Sequence, residues 1–220
     1  MTLRISLFLA ALASFVFPCT ATAALVTYTD PVAYAAQLVN LSLTTTGFTN
    51  FDSLGVGSKG TSFSESSIQF TSQGGMRISS GTTSSPSLFL GFDSESTPDF
   101  LIGDKVTLTL PTNSRAVSLQ IITETIPDIT AFATLTVNGQ GAITAPGGTL
   151  LTGMFRSYFL GVISDSANIG SAVVDFDGTG TGFYRIDDVG VAGLAVPEPS
   201  SLVLVLAASM TCVVRRRRLA

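Results

Sequence analysis

The sequence contains no histidine and no tryptophan, and its two cysteines, Cys19 and Cys212, both lie in the terminal segments. Without histidine there is no Ser-His-Asp triad, no Cys-His dyad, no ordinary zinc site and no His-ligated haem. A middle region without thiols has neither a disulfide framework nor a cysteine nucleophile. The lack of tryptophan removes the widest aromatic platform for stacking on sugars. Basic residues are equally scarce. Five of the eleven, Arg4 and Arg215 to Arg218, belong to the two ends. Between Ala24 and Val196 only Lys59, Arg77, Lys105, Arg115, Arg156 and Arg185 oppose fourteen acidic residues. An acidic body with no basic stripe excludes nucleic acid as a partner, because phosphate contact needs clustered Lys and Arg.

Long apolar runs occur only at the ends. Arg4 followed by the run from Ile5 to Phe17 has the layout of a secretory signal. Ala21-Thr22-Ala23 places small residues where signal peptidase reads, so cleavage is expected after Ala23, with Ala21 and Ala23 as the recognised pair. A lipoprotein signal ending at Cys19 is the competing arrangement, but Val16-Phe17-Pro18 lacks the small residues that a lipobox needs. At the other end, Val196-Pro197-Glu198-Pro199 precedes an apolar segment from Leu202 to Val214, and Arg215, Arg216, Arg217 and Arg218 follow. Four arginines hold that end on the cytoplasmic side and leave the body outside. The apolar segment is short for a hydrocarbon core of ~30 Å, which suits a temporary membrane anchor.

This order of motif, apolar segment and arginine cluster resembles the PEP-CTERM sorting signal, a family also catalogued as the ice-binding protein C-terminal domain. The resemblance covers Val196 to about Leu219. It implies an exosortase acting near Pro197-Glu198-Pro199, and a host with an envelope and an exopolysaccharide. Residues 1–23 are thus a signal peptide, 24–195 an extracellular domain and 196–220 a sorting signal. Exosortase and signal peptidase are the expected partners, with exopolysaccharide a third candidate. The membrane is engaged only through the C-terminal segment. The expected location is the cell surface or extracellular matrix.

The body reads as mainly β. One short helix is expected first, with Asp30 capping, Pro31 in the first helical position and Tyr34, Leu38 and Leu41 on one apolar face. Period-two alternation then marks strands at Lys105 to Leu110, Ala116 to Ile122 and Phe132 to Val137. Further strands are expected at Ser67 to Phe70, Met76 to Ser79, Leu88 to Phe92, Ala142 to Thr144, Tyr158 to Ile163, Ala172 to Phe176 and Phe183 to Val191. Asn138-Gly139 supplies a tight hairpin turn, and Gly74-Gly75, Pro86, Pro111-Thr112-Asn113 and Gly147-Gly148 are further turn signals. Nine or ten short strands over this length imply two packed antiparallel sheets, and a jelly-roll-like sandwich is the expected fold. The Asn50-Phe51-Asp52-Ser53-Leu54 start and the Tyr184-Arg185-Ile186-Asp187-Asp188-Val189 end are also similar to jelly-roll domains of the carbohydrate-binding type. That resemblance implies that the first and last strands lie side by side.

Three acidic groups are candidate cation sites. Asp187 and Asp188 should point to opposite faces of one strand, and the inward one would meet Asp52 if the outer strands are neighbours. Calcium takes six to eight oxygens, so Asp52, Asp187 and Asp188 form a candidate structural calcium site. No other cofactor is implied. Asp175-Phe176-Asp177-Gly178-Thr179-Gly180 echoes the opening of a calcium loop but departs from it at Thr179 and at Ile186. Asp93, Glu95 and Asp99 make an acidic loop. Thr-x-Thr pairs at Thr107 to Thr109 and Thr134 to Thr136 lack the fixed repeat of an ice-binding ladder. Phe63, Phe70, Phe89, Phe92, Phe155 and Phe159 are expected in the core. The leading expectation is a non-enzymatic surface or matrix protein with a structural or adhesive role linked to exopolysaccharide. A calcium-dependent carbohydrate-binding module is the first alternative, and a hydrolase built from two carboxylates across a cleft the second.

Overall fold

The computed structural model describes residues 24–83, 88–94, 100–101, 104–124, 132–138, 140–144, 149–151, 155–165, 168–177 and 183–194. The expected signal peptide, the expected sorting motif Val196 to Pro199, the apolar segment behind it and Arg215 to Arg218 lie outside these residues. So do Glu95, Asp99, Gly139 and Gly147-Gly148. Among the described residues no helix is long and apolar enough to cross a membrane.

Helix α1 (Pro31–Asn40) forms where its capping chemistry predicts. The Asp30 carboxylate accepts the Val32 N–H at 2.9 Å, and Pro31 fills a first-turn position whose missing N–H loses no bond. Tyr34 buries its ring between Tyr28 and Phe159, at 5.7 and 5.4 Å in edge-on contacts, over a small cluster of Leu43, Ala116, Ile163 and Ala192. Burial pushes the Tyr34 hydroxyl up to about 12, against the opposing effect of a hydrogen bond with Ser118.

The rest is antiparallel β-structure, with fourteen strands among the described residues. One wall of the sandwich is built from β1 (Leu25–Tyr28), β12 (Phe155–Ser164), β8 (Ser114–Glu124), β14 (Phe183–Leu194) and β2 (Leu43–Thr49). The other wall is β3 (Gly57–Glu65), β4 (Ile68–Ser80), β7 (Lys105–Thr109), β13 (Ser171–Asp177), β9 (Phe132–Val137) and β10 (Gln140–Thr144). Strand β5 (Leu88–Phe92) joins them, pairing with β4 and touching β14 at Ile186↔Leu90. The short strands β6 (Phe100–Leu101) and β11 (Thr149–Leu150) attach to β14 and β12. The sheet therefore curls into a jelly-roll-like sandwich. Alternating residues of both walls meet in one core that includes Phe70, Leu90, Val106, Leu108, Leu119, Ile121, Leu160 and Ile186, all fully buried.

Several strands exceed the sequence expectation. Edge strands β2 and β3 read Leu-Thr-Thr-Thr-Gly-Phe-Thr and Gly-Ser-Lys-Gly-Thr-Ser-Phe-Ser-Glu, with little apolar alternation, because each has a single neighbour and covers little core. Gly74-Gly75 does not separate two strands as expected. It is a bend inside the thirteen-residue β4, with Gly75 at φ +83°. The β9–β10 hairpin forms as predicted, with Asn138 left-handed at φ +50° and its side-chain oxygen accepting the N–H groups of Gly170 and Ser171. The Pro111 turn is closed by Ser114, whose hydroxyl donates to the Pro111 carbonyl at 2.6 Å.

Candidate functional site

The cleft follows from the bend in β4. This strand pairs with β7 as far as Ser72↔Val106, then crosses to β5 from Met76↔Phe92 onward. On its other side β3 advances only from Ser62↔Thr71 to Gly60↔Met76, so residues 72 to 75 of β4 face Thr61 alone. The positive φ of Gly75 turns the chain there, and at Gly74 a β-carbon would sit 2.3 Å from the Phe92 ring. Phe92 thus packs directly on the Gly74 backbone. This bulge re-aims the strand and leaves a cleft of about 720 Å³ on the outer face of the wall.

The walls of the cleft are polar. Thr61, Ser62, Thr71, Ser72 and Thr107 supply hydroxyls, Gln73 an amide, and Asp104 and Lys105 charged groups, while Val173 is an apolar patch. Outward-facing positions of β4 and β7 give Thr71 and Thr107 directly, since their neighbours Phe70, Val106 and Leu108 point into the core. The Thr71 hydroxyl donates to the Thr107 carbonyl at 3.3 Å, which ties the two strands across the cleft floor.

At the Asp104 and Lys105 end, the register Asp175↔Lys105 brings a buried acid beside an exposed base. Lys105 Nζ lies 2.8 Å from Asp175 Oδ2, with the lysine side chain 63% exposed and the aspartate 8%. The other oxygen, Oδ1, is buried and accepts no hydrogen bond. Beneath them the Tyr184 hydroxyl donates to the Asp104 carbonyl at 2.5 Å. Burial, and then the negative charges of Asp104 and Asp175, push that phenol well above its usual range. The cleft therefore offers hydroxyl and amide groups that both donate and accept, next to one fixed ion pair.

The aspartates singled out in the sequence have structural roles. Strands β2 and β14 are neighbours, as the side-by-side arrangement requires. Asp52 uses both oxygens, accepting the Leu88 N–H at 3.0 Å and the Asn50 side-chain amide at 2.7 Å, and so pins the start of β5. Asp187 is fully buried and accepts the Asp188 N–H at 2.8 Å. The expected simple alternation of Asp187 and Asp188 is broken by a bulge, with Asp188 left-handed at φ +49°. Tyr184 and Ile186 face the core before it and Val189 and Val191 after it, so the buried parity switches. Among the described residues no group of three or more His, Cys, Asp or Glu is gathered for a metal, and Asp52, Asp187 and Asp188 form no such group. Asp93 accepts the Ser58 hydroxyl at 2.5 Å and lies 3.9 Å from Arg77.

Of the six phenylalanines, Phe70 and Phe89 are fully buried, Phe63 and Phe92 pack on the core, and Phe159 joins the cluster under α1. Phe155 differs. Its ring and that of Phe89 flank the Arg185 guanidinium at 4.5 and 4.4 Å, and Arg185 also donates to the Thr82 carbonyl. In the sequence Asp175 stands out only as part of a loop motif and Lys105 carries no site signal, because their pairing depends on a strand register seventy residues apart. The alternation of β7 was the available signal for Thr107.

The fold and cleft together define a curled β-sandwich with an open polar groove on one face. No family model and no curated protein sequence matches the chain. Among solved structures, it is similar to the CBM22-1 xylan-binding domain from Paenibacillus barcinonensis Xyn10C, with a TM-score of 0.38 and 11% identity over 70% of this chain and 97% of that one. It is also similar to TmCBM27, a carbohydrate-binding module described for specific mannan recognition, with a TM-score of 0.34 and 11% identity over 79% of this chain and 98% of that one.

Proposed function

We propose that this chain is an exported, non-catalytic surface or matrix protein that holds a neutral polysaccharide in the cleft beside the β4 bend. The observation that carries the reading is the chemistry of that cleft. Five hydroxyls and an amide line an open groove large enough for a few sugar rings, and a sugar chain presents the matching mixture of donors and acceptors. The ligand is neutral because Asp104 and Asp175 oppose the single Lys105 and the body as a whole is acidic. Processing by signal peptidase after Ala23 and by an exosortase at Val196 to Pro199 would deliver the body to the exopolysaccharide. The tripartite tail supports this part of the proposal.

Affinity electrophoresis of the extracellular protein in gels containing the host's own exopolysaccharide tests the binding. Retardation is expected, with loss of about tenfold in affinity for Gln73→Ala or Thr107→Val, the effect of one hydrogen bond. Equal mobility with and without polysaccharide would contradict the proposal.

A calcium-dependent version is favoured by one observation, the buried and unpartnered Oδ1 of Asp175 at the head of the Asp175-Phe176-Asp177-Gly178 segment. If calcium binds there, millimolar calcium raises the melting temperature of the wild type and leaves Asp175→Asn unchanged. Identical curves with calcium and with chelator would eliminate this version.

A further inference from the structure

The body has a polarity that its two chain ends define. At one end of the sandwich Leu194, the last residue of β14, pairs with Leu43, and Gly193 pairs with Ser114. The start of the body lies at the same end. Leu25 pairs with Ser164, and Ala24 exchanges hydrogen bonds with Asp165, the Ala24 N–H donating to the carboxylate at 3.1 Å and its carbonyl accepting the Asp165 N–H at 3.3 Å. The cleft lies toward the opposite end. Tyr184, near the other terminus of β14, pairs with Phe100 and bonds to Asp104, and Lys105 and Asp104 belong to the cleft.

Lengths decide what this polarity means while the tail is in the membrane. The twelve residues of β14 span about 40 Å at the rise of an extended strand. The linker from residue 195 to the start of the apolar segment at Leu202 is seven residues, whose reach is about 25 Å when fully extended. An inverted body, with its cleft end on the bilayer, would place Leu194 farther from the surface than the linker reaches. Exposed apolar side chains add an independent observation. Val26, Val32, Val39 and Leu194, between 45% and 77% exposed, lie on β1, α1 or the end of β14, while Phe48, Val56 and Leu150, at 52% to 59%, lie on β2, before β3 and on β11.

We infer that, while its tail is membrane-inserted, the body rests its α1 end on the bilayer surface and presents the cleft outward, away from the cell. The partner of the α1 end is the lipid surface itself, contacted by Val32 and Val39 through apolar burial, since the acidic body offers no attraction to anionic headgroups. This inference rests on reading Leu202 to Arg218 as a membrane stop. It fixes which end of the sandwich faces away from the bilayer while the tail is inserted, whatever polysaccharide fills the cleft.

The absence of other cysteines makes the test direct. The full chain, with Cys19→Ala and Cys212→Ser, receives a single cysteine as either Val39→Cys or Ser62→Cys and carries a fluorophore there in membranes from cells lacking the exosortase. Nitroxide-bearing lipids are expected to quench the Val39→Cys probe severalfold more than the Ser62→Cys probe. Both positions are exposed, so either variant should fold, and circular dichroism checks this. Equal quenching, stronger quenching at Ser62→Cys, or none at either site in membrane-bound protein overturns the orientation alone. Recovery of the protein in the soluble fraction overturns the membrane-stop reading and the orientation with it.

Discussion

Gly75 shows how one residue shapes the cleft. Its φ of +83° lies where a side chain is strained, and an added β-carbon would sit 3.1 Å from Asp93 Cβ. Gly75→Ala is expected to cost about 1–3 kcal/mol in denaturant unfolding and to weaken polysaccharide retention, because β4 could no longer swing from β7 to β5 at that point. Tyr34 controls a different property. Its folded phenol titrates at about 12 rather than 10, so the folded state keeps a proton that the unfolded chain gives up. The stabilisation is complete below pH 10 and is lost as pH rises from 10 through about 12, an effect on the order of 2–3 kcal/mol. Thermal melts across that interval are expected to fall steeply for the wild type and less steeply for Tyr34→Phe. Phenolic titration of Tyr34 at its ordinary value would contradict this account.

At the scale of elements, the bulge at Asp187-Asp188 lets β14 keep a buried face along its whole length. Asp188 supplies the left-handed residue, a conformation that Asp tolerates and β-branched residues do not. Asp188→Val is therefore expected to destabilise by about 1–3 kcal/mol, whereas Asp188→Gly keeps the backbone and costs little, as urea unfolding of the pair would show. The seam between β14 and β5 rests on Ile186↔Leu90, both fully buried. Ile186→Ala should cost about 2–5 kcal/mol, and a loss below 1 kcal/mol would mean that the two walls are held together elsewhere. These elements also mark what was legible in the sequence. The helix start at Asp30-Pro31, the hairpin at Asn138, and the strands β5, β7, β8, β9 and β12 to β14 follow from capping, turn chemistry and alternation, all of which act within a few residues. Edge strands β2 and β3 were faint because one-sided pairing imposes little apolar pattern. The bulge at Asp188 was hidden because a parity switch shows only when the burial on both sides of it is known. The cleft was invisible for a related reason, since Thr61, Thr71, Thr107 and Lys105 come from three strands whose adjacency is set by register. Paired carboxylates are the most conspicuous site signal in the sequence, and the fold uses Asp52 and Asp187 to hold its own backbone.

At the scale of the whole molecule, the two ends of the described body, Ala24 and Leu194, lie at one end of the sandwich and the groove toward the other. On the proposed reading delivery and binding belong to separate parts of the chain, and residues 24–195 carry no cysteine and no histidine. The proposed ligand, orientation and location all start from the proposed processing at both ends. Intact-mass analysis of the protein recovered outside the cell, from strains with and without the exosortase, measures that processing most directly. The account predicts a species running from Ala24 to the Pro197-Glu198-Pro199 region in the complete strain, with or without an adduct, and a species still carrying its tail in the strain without the enzyme. An extracellular species that retains Arg215 to Arg218 in both strains would contradict it and leave a simply anchored sandwich in its place.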